Sequence, residues 1–510
     1  MSTEPQSPDG ASTAPRQRGL IMVTVILASA MYVGDLSLVA IAIPHMQGAF
    51  SATPDEISWV ATAFVLGSAA MIVTTGWLAA RVGARRLFLV SIAGFATLSI
   101  MAAQATTLQE EILFRLGMGA VGAPIQPLCQ MIVMNAYPRE QHGRALATWS
   151  LGIMVLPILL LPASGFIIDM FGWSSVFYMT LPFGTLAFFG AITFVPRTQP
   201  EASRSLDWLS LSLLITLFAL LQFVLSRGGR LDWFDSSLIV GALAISALCV
   251  YVLVLHLATA RAPLVPPELF RNRNFSCGLA ATFIFGATNM TIIILLPLMQ
   301  RNQLGYPVEF VGIIMAVRLL GSMLGQYIVS MLISRVDPRH LIVAGTLCAG
   351  TSTWIMAGWS MDVAPLQILL PIILHGISGG STWVCLNSLT ASTLDARLRS
   401  HGIPIYFLTF NVGFSFGVAA ILTYWSNSTQ ANYSRLREYV NLFNRALQAP
   451  LSGGGKDGVD PAATAQIADE ITRQASMIAY NNTFVVVTVA SLLVIPLAYL
   501  LKDPGWRRRR

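Results

Sequence analysis

About fourteen apolar runs follow one another along this chain, each near the ~20 residues that a helix needs to cross a bilayer. They fall at 20–45, 57–79, 86–104, 109–135, 144–168, 173–195, 207–226, 236–259, 275–300, 308–334, 339–360, 364–391, 400–425 and 476–501. Arginines collect in alternate gaps: Arg81, Arg85 and Arg86; Arg139 and Arg144; Arg197 and Arg204; Arg261, Arg271 and Arg273; Arg335 and Arg339; Arg397 and Arg399. The intervening gaps hold acids: Asp55 and Glu56; Glu110 and Glu111; Asp232 and Asp235 beside Arg227 and Arg230; and Asp362. Positive loops stay in the cytoplasm. The alternation therefore predicts an all-α integral membrane protein with an even number of spans and both termini cytoplasmic. The basic tail, Arg507 to Arg510, agrees, as a topology anchor or as a site for anionic headgroups.

Only 11% of the 510 residues are charged and 55% are hydrophobic, where a soluble domain carries roughly a quarter charged. Most of the chain is thus solvated by lipid or by itself. The net charge of +7 is nearly all arginine, because lysine occurs only at Lys456 and Lys502. Nucleic-acid binding needs a clustered basic face; these arginines are spread over short loops, so no such partner is expected. The five cysteines (Cys129, Cys249, Cys277, Cys348 and Cys385) lie in or beside apolar runs without ligand spacing and read as small packing residues. Residues 1–18 are rich in Ser, Thr, Pro and Gln and lack the apolar core of a signal peptide. They read as a disordered cytoplasmic tail before a retained first span.

The gap at 426–475 is the long one and falls outside by the charge count. Within it Leu436, Tyr439, Val440, Phe443 and Leu447 recur at helical spacing, so Ser434 to Leu447 reads as an amphipathic helix. Ser452-Gly-Gly-Gly then breaks the chain, and Asp460-Pro461 reads as a cap with a first-turn proline. The following helix is expected to run into the last span. This element fits a docking site for a partner protein or a lid with no partner. Gly453 to Lys456 lacks the frame of a phosphate-binding loop. With no nucleotide domain, an ion gradient must drive any transport, and no cofactor is expected.

Charges inside the spans carry the chemistry. Asp35 is the acid of the first span, and a carboxylate at bilayer depth costs several kcal/mol unless paired, hydrated or protonated. It is a natural proton carrier, with a purely structural ion pair as the competing reading. Arg115 is its natural partner: it lies ~10 Å into the fourth span, and Asp35 ~15 Å from the outer end of its own. Desolvation favours the neutral acid and the arginine favours the carboxylate, so the two effects oppose each other. Arg318 sits ~16 Å into the tenth span and should face the interior or a wet cavity. Binding an anionic substrate, neutralising a carboxylate, or a structural role all fit it. His375 lies at similar depth in the twelfth span, for proton or substrate handling or for packing. Gln126, Gln130, Trp149 and Phe285 are further candidates for lining a substrate cavity, as are Asn289, Asn387, Tyr406 and Asn411; helix packing is the alternative for each.

Gly321 and Gly325, Gly376 and Gly380, and Gly413 and Gly417 are spaced for close helix approach. Pro124 and Pro127 in the fourth span, and Pro157 and Pro162 in the fifth, predict bends because proline lacks the backbone donor. No metal-ligand set or nucleophile–base motif appears, so an enzyme is not expected.

Several segments together resemble the major facilitator superfamily. Gly76-Trp-Leu-Ala-Ala-Arg-Val-Gly-Ala-Arg-Arg86 is similar to its signature loop between spans two and three, with Gly76, Arg81, Gly83, Arg85 and Arg86 in the motif. Phe114-Arg-Leu-Gly-Met-Gly-Ala-Val-Gly-Ala-Pro124 resembles its fourth-span motif, and Leu161-Pro-Ala-Ser-Gly165, with Pro162 and Gly165, stands at the fifth-span antiporter motif. Leu206-Asp207-Trp208, Arg230-Leu-Asp-Trp233 and Leu269-Phe-Arg-Asn-Arg-Asn-Phe275 resemble the middle of the fourteen-span drug:proton antiporters, and the long external loop is closest to EmrB-type multidrug pumps. The likeness covers about residues 20 to 502. Ala40 and Ala80 depart from an asparagine and an acid usual in the family, and Leu161 and Ser164 replace motif glycines.

The resemblance implies about fourteen transmembrane helices: a six-helix half at 19–200, two inserted helices at 201–262, and a second half at 263–502, with a basic tail at 503–510. It implies alternating access coupled to protons, with Asp35 and Arg115 as coupling residues. The expectation is a proton-driven exporter of amphipathic or hydrophobic compounds in the bacterial inner membrane. An importer or uniporter of an organic anion is the alternative. A periplasmic membrane-fusion adaptor and an outer-membrane channel are the partners the resemblance implies.

Overall fold

The computed structural model describes residues 15–197, 207–260, 265–333, 335–439 and 461–502, and these are helical with no strand. Residues 1–14 and 503–510 of the expected tails, and most of the expected Ser434–Leu447 helix, lie outside the described residues, whereas residues 15–18 of the expected disordered tail form the first turn of α1. The chain divides into two compact units, Met1–Leu206 and Asp207–Arg510.

In the first unit α1 (Pro15–Ala49) is the central helix. Against it pack α6 (Ile125–Ala136), α7 (His142–Phe171) and α9 (Leu181–Phe194). A second layer joins α2 (Pro54–Ile72) to α5 (Leu108–Gly122), which also meets α4 (Ala84–Ala103). Local sequence sets the helix starts. Thr53 with Glu56, and Thr107 with Glu110, form capping boxes, each hydroxyl accepting from a backbone N–H at 3.3 Å. Short helices α3 (Thr75–Val82) and α8 (Ser175–Met179) complete the unit. The second expected span is a bent pair, α2 then α3, at 57°. The fourth breaks at Ala123-Pro124, where the proline interrupts the ladder as expected.

In the second unit α10 (Trp208–Arg227) and α11 (Ser237–Thr259) pack on each other. Asp207 caps α10, accepting from the Ser210 backbone N–H at 3.0 Å, and meets His256 Nε2 of α11 at 2.9 Å. Trp233 Nε1, in the connection, donates to Thr423 Oγ1 at 3.1 Å. After the single turn α12 (Glu268–Arg271) come α13 (Arg273–Asn302), α14 (Val308–Leu332), α15 (Pro338–Met356) and α16 (Pro365–Ser392). The unit ends in α17 (Ala396–Arg437), α18 (Pro461–Leu492) and α19 (Val494–Leu500).

Glycines bring helix backbones together where the sequence spacing predicts. A Cβ on Gly380 would lie 2.0 Å from the Ser322 carbonyl, and one on Gly417 2.1 Å from that of Ala287. These seams join α14 to α16 and α13 to α17. The first unit has its own seam, which the spacing does not reveal: Gly119 of α5 lies against the Phe64 carbonyl of α2.

Among the described residues, twelve helices are long and apolar enough to cross a membrane, or thirteen if the bent pair counts as one. The expected count of fourteen is thus approached but not reached. The remaining expected span, 339–360, does form a helix, α15, packed along α16 and α18. Arg339, His340 and a run of Gly, Ser and Thr dilute its apolar content.

The expected boundary at 425 is corrected. Helix α17 continues for 42 residues, ~63 Å, twice the ~30 Å of a hydrocarbon core. Residues 434–437 thus belong to α17 rather than opening a separate amphipathic helix. Helix α18 runs 32 residues from Pro461 without a break, as expected. The two pack together, with Asn432 Nδ2 donating to the Ala475 carbonyl at 3.4 Å.

Gly380→Ala should cost about 1–3 kcal/mol through overpacking, read as a lowered thermal unfolding midpoint in detergent. Gly165→Ala, whose Cβ meets nothing within 4 Å, should not. For Asp207, burial raises the carboxyl pKa, but hydrogen bonds from Ser210 and His256 outweigh it and hold it below its ordinary 3.8. Its contribution is therefore present above pH ~4 and lost as pH falls through the lower folded value. Asp207→Ala should cost about 1 kcal/mol at neutral pH and abolish that acid-side loss in thermal melts.

Candidate functional site

The first unit holds a buried ion pair. Arg115 Nη1 of α5 donates to Asp35 Oδ2 of α1 at 2.6 Å, and the two side chains are 1% and 0% exposed. The expected partnership of the two residues is thus present. The guanidinium lies over the Phe64 ring at 4.5 Å and near that of Phe177 at 6.0 Å. Tyr32, one turn before Asp35, shares a 3.0 Å hydrogen bond with Ser68 of α2. Among the described residues, Asp35 Oδ1 and Arg115 Nε have no hydrogen-bond partner. Taking two charges out of water costs several kcal/mol each, and one short bond with aromatic walls offsets only part of that. A group kept at such cost, with an unfilled acceptor, is suited to taking a proton.

Glu111 corrects the expectation for the second acidic gap. The charge alternation groups it with Glu110 as an outer marker, and only Glu110 has that character. Glu110 is exposed and closes the capping box, accepting from the Thr107 backbone N–H at 3.3 Å, and accepts from the Thr106 backbone N–H at 2.9 Å as well. Turning Glu110 out turns its neighbour in. Glu111 is 0% exposed, and neither carboxylate oxygen has a hydrogen-bond partner among the described residues. The signal in the sequence is its place four residues before Arg115, on the same helix face.

The other first-unit candidates knit helices together. Trp149 Nε1 donates to Ser29 Oγ at 3.0 Å, and Gln126 Nε2 to the Ser29 carbonyl at 3.4 Å. Ser29 of α1 is therefore a shared anchor that no sequence motif marks. Gln130 is buried with its amide toward Met134 Sδ.

In the second unit four candidates converge. Arg318 of α14 donates from Nη2 to Asn289 Oδ1 of α13 at 3.0 Å and from Nε to His375 Nδ1 of α16 at 3.3 Å. All three are 5% exposed or less. No carboxylate pairs with Arg318 among the described residues. Because His375 Nδ1 accepts, its ring is neutral with the proton on Nε2. Asn289, His375 and Phe285 border a small cavity of about 20 Å³, whose lining also includes Thr346, Thr353 and Thr382. Tyr406 and Asn387 are buried outside that group, Tyr406 against Trp383 at 5.8 Å between ring centres. Asn411 is half-buried on α17.

The loop motif is local structure of a defined kind. Gly76 is buried in α3, Arg81 lies over Trp77 at 5.4 Å, and Gly83 ends α3 at φ +92°, a conformation that favours glycine. Arg85 donates to the Ile192 carbonyl of α9, and Arg86 is exposed. Pro162 and Gly165 lie within α7, where Gly165 has open space beside it.

A bent signature loop and a buried acid–arginine pair agree with the sequence match to the Major Facilitator Superfamily over residues 25–418. The chain belongs to that superfamily. Curated relatives agree along nearly the whole length. The multidrug export protein EmrB of Haemophilus influenzae is 28% identical over 488 residues, covering 95% of this chain and 96% of that protein. The fatty acid resistance protein FarB of Neisseria gonorrhoeae is 27% identical, with the same coverage. EmrB of Escherichia coli is 28% identical over 495 residues, 95% of each chain. Solved structures share the fold: the human organic anion transporter MFSD10 has a TM-score of 0.60 at 13% identity, covering 94% of this chain and 100% of its own. A bacterial homologue of the lysosomal transporter Spinster scores 0.52 at 16% identity, covering 96% and 100%. The protein is a multi-pass membrane transporter of the major facilitator fold.

Breaking the first-unit pair one-sidedly should be costly. Arg115→Ala leaves Asp35 buried without its cation, and about 3–5 kcal/mol of destabilisation is expected, measured by thermal unfolding. Arg115→Lys should recover part of it.

Proposed function

We propose that this transporter exports amphipathic and hydrophobic compounds, a multidrug efflux activity driven by protons entering across the bacterial inner membrane, with both termini cytoplasmic. The efflux reading rests on relatives named multidrug export proteins along 95% of the chain. The observation that carries proton coupling is the buried Asp35–Arg115 pair with its unfilled carboxylate oxygen. The carboxyl takes a proton on one side and releases it on the other as the protein alternates access. Coupling results if protonation and substrate favour opposite-facing states. Asp35→Asn keeps the shape and removes the titrating group. Proteoliposomes carrying it should fold normally but lose substrate flux driven by a pH gradient; undiminished driven flux would overturn the reading.

Arg318 favours organic anions among the cargo. It is a buried cation facing an amide and a neutral imidazole with no carboxylate, so an incoming acid group would complete it. A relative named for fatty acid resistance supports this. Arg318→Ala should weaken export of anionic compounds about tenfold more than that of cationic ones, the loss of roughly 1.4 kcal/mol of selective binding; equal losses would leave a structural role. The same cation would serve an importer or uniporter of organic anions, which substrate-loaded vesicles with an imposed gradient separate by direction.

The α17–α18 pair is the proposed dock for a periplasmic adaptor leading to an outer-membrane channel. Its support is the length of α17 beyond a hydrocarbon core and the EmrB likeness. Deleting 430–474 should abolish copurification with the adaptor; undiminished copurification would place the dock elsewhere.

A further inference from the structure

Two carboxyl groups and one guanidinium are buried near one another in the first unit, Glu111 standing four residues before Arg115 on α5 and within electrostatic reach of both Arg115 and Asp35. Asp35 and Glu111 are each 0% exposed, and Arg115 is 1% exposed. Asp35 takes the one short bond from Arg115. Among the described residues, Glu111, a helical turn away from Arg115 on α5, has both oxygens without a donor, and Asp35 Oδ1 is also without one. The other titratable group at the site is Tyr32 of α1, whose hydroxyl is engaged by Ser68. The walls from α2 and α8 present Phe64 and Phe177, which carry no charge.

These charges do not balance with both acids ionised. One positive and two negative charges would leave a net negative charge in a dry interior, with three oxygens unsatisfied. Burying an ion without a counter-ion costs far more than burying the neutral acid. Two carboxyls that share one site therefore titrate as a pair, and one of them holds a proton while the other pairs with the cation.

We propose that Glu111 is a second proton-binding carboxyl, and that Asp35 and Glu111 hold one shared proton opposite Arg115 in the resting protein. The guanidinium serves whichever carboxyl is ionised. Moving the proton from one acid to the other exchanges the ion pair between α1 and α5 for one within α5, because Glu111 and Arg115 lie at i and i+4. No net charge is created in the exchange, so the step avoids the cost of an isolated buried ion. The shared proton rests on the proton-coupling reading of the same site, but its test needs no transport.

The test is infrared titration of purified full-length protein, following the carbonyl stretch of protonated carboxyl groups at pH 7 and in isotope-shifted difference spectra. The wild-type protein should show one protonated buried carboxyl. Glu111→Gln should lose it, because Asp35 then pairs with Arg115 and ionises. Asp35→Asn should lose it equally, because Glu111 then pairs with Arg115. Loss in both single variants is the signature of a shared proton. Survival of the band in Asp35→Asn would overturn the proposal, since Glu111 would then be a permanently neutral structural acid. Absence of the band in the wild type would overturn it too. Both substitutions preserve side-chain shape, and size-exclusion profiles with thermal unfolding midpoints identify any variant that misfolds. For such a variant, Glu111→Asp replaces Glu111→Gln and should retain the band. Failure of coupled transport in vesicles with the shared band intact would sink the efflux reading alone.

Discussion

A positive and a negative side chain, bonded at 2.6 Å between α1 and α5, set the terms for the first unit. Neither charge can reach water, so each holds the other where it is. Around them the unit is apolar and aromatic: Tyr32, Phe64 and Phe95 pack within 6.4 Å between ring centres. The close approach of α2 to α5 at Gly119 brings Phe64 under the guanidinium. A small residue in one helix thereby positions the ring that partly solvates a cation in another. The site depends on that backbone seam as much as on the residues that carry charge.

The second unit solves a similar problem differently. Among the described residues Arg318 has neutral partners only, and the acceptors that reach it belong to α13 and α16. The seam between α14 and α16 runs through Gly376, whose Cβ would meet the Arg318 carbonyl itself. Backbone proximity and side-chain hydrogen bonding converge on one residue. Beside it lies a small cavity bordered by Asn289, His375 and three threonines, Thr346, Thr353 and Thr382.

Helical geometry and the cost of burial account for the features legible in the sequence. Depth along each span brings Asp35 to Arg115 because a helix advances 1.5 Å per residue, and glycine spacing locates two of the three seams. Proline marks the break in the fourth span. The rest needs tertiary facts. Glu111 sits beside Glu110 in the chain, and only the capping geometry tells which of the two turns inward. Gln126 and Trp149 both reach Ser29, a contact that no sequence motif marks. The stretch just after residue 425 reads as the end of a span because polar residues begin there. Polar helix is equally polar, and α17 continues through residues 426–437.

Helix α17 also contains Pro404, which withholds one backbone donor near the start of a rod that continues unbroken to Arg437. From that weakened rung to the far end is ~50 Å. A tilt of ~5° about it would sweep the tip by ~4 Å, as much as a methyl group's width, while the buried base barely shifts. The geometry thus makes the far end of α17 the part of the helix that a small tilt at Pro404 displaces most.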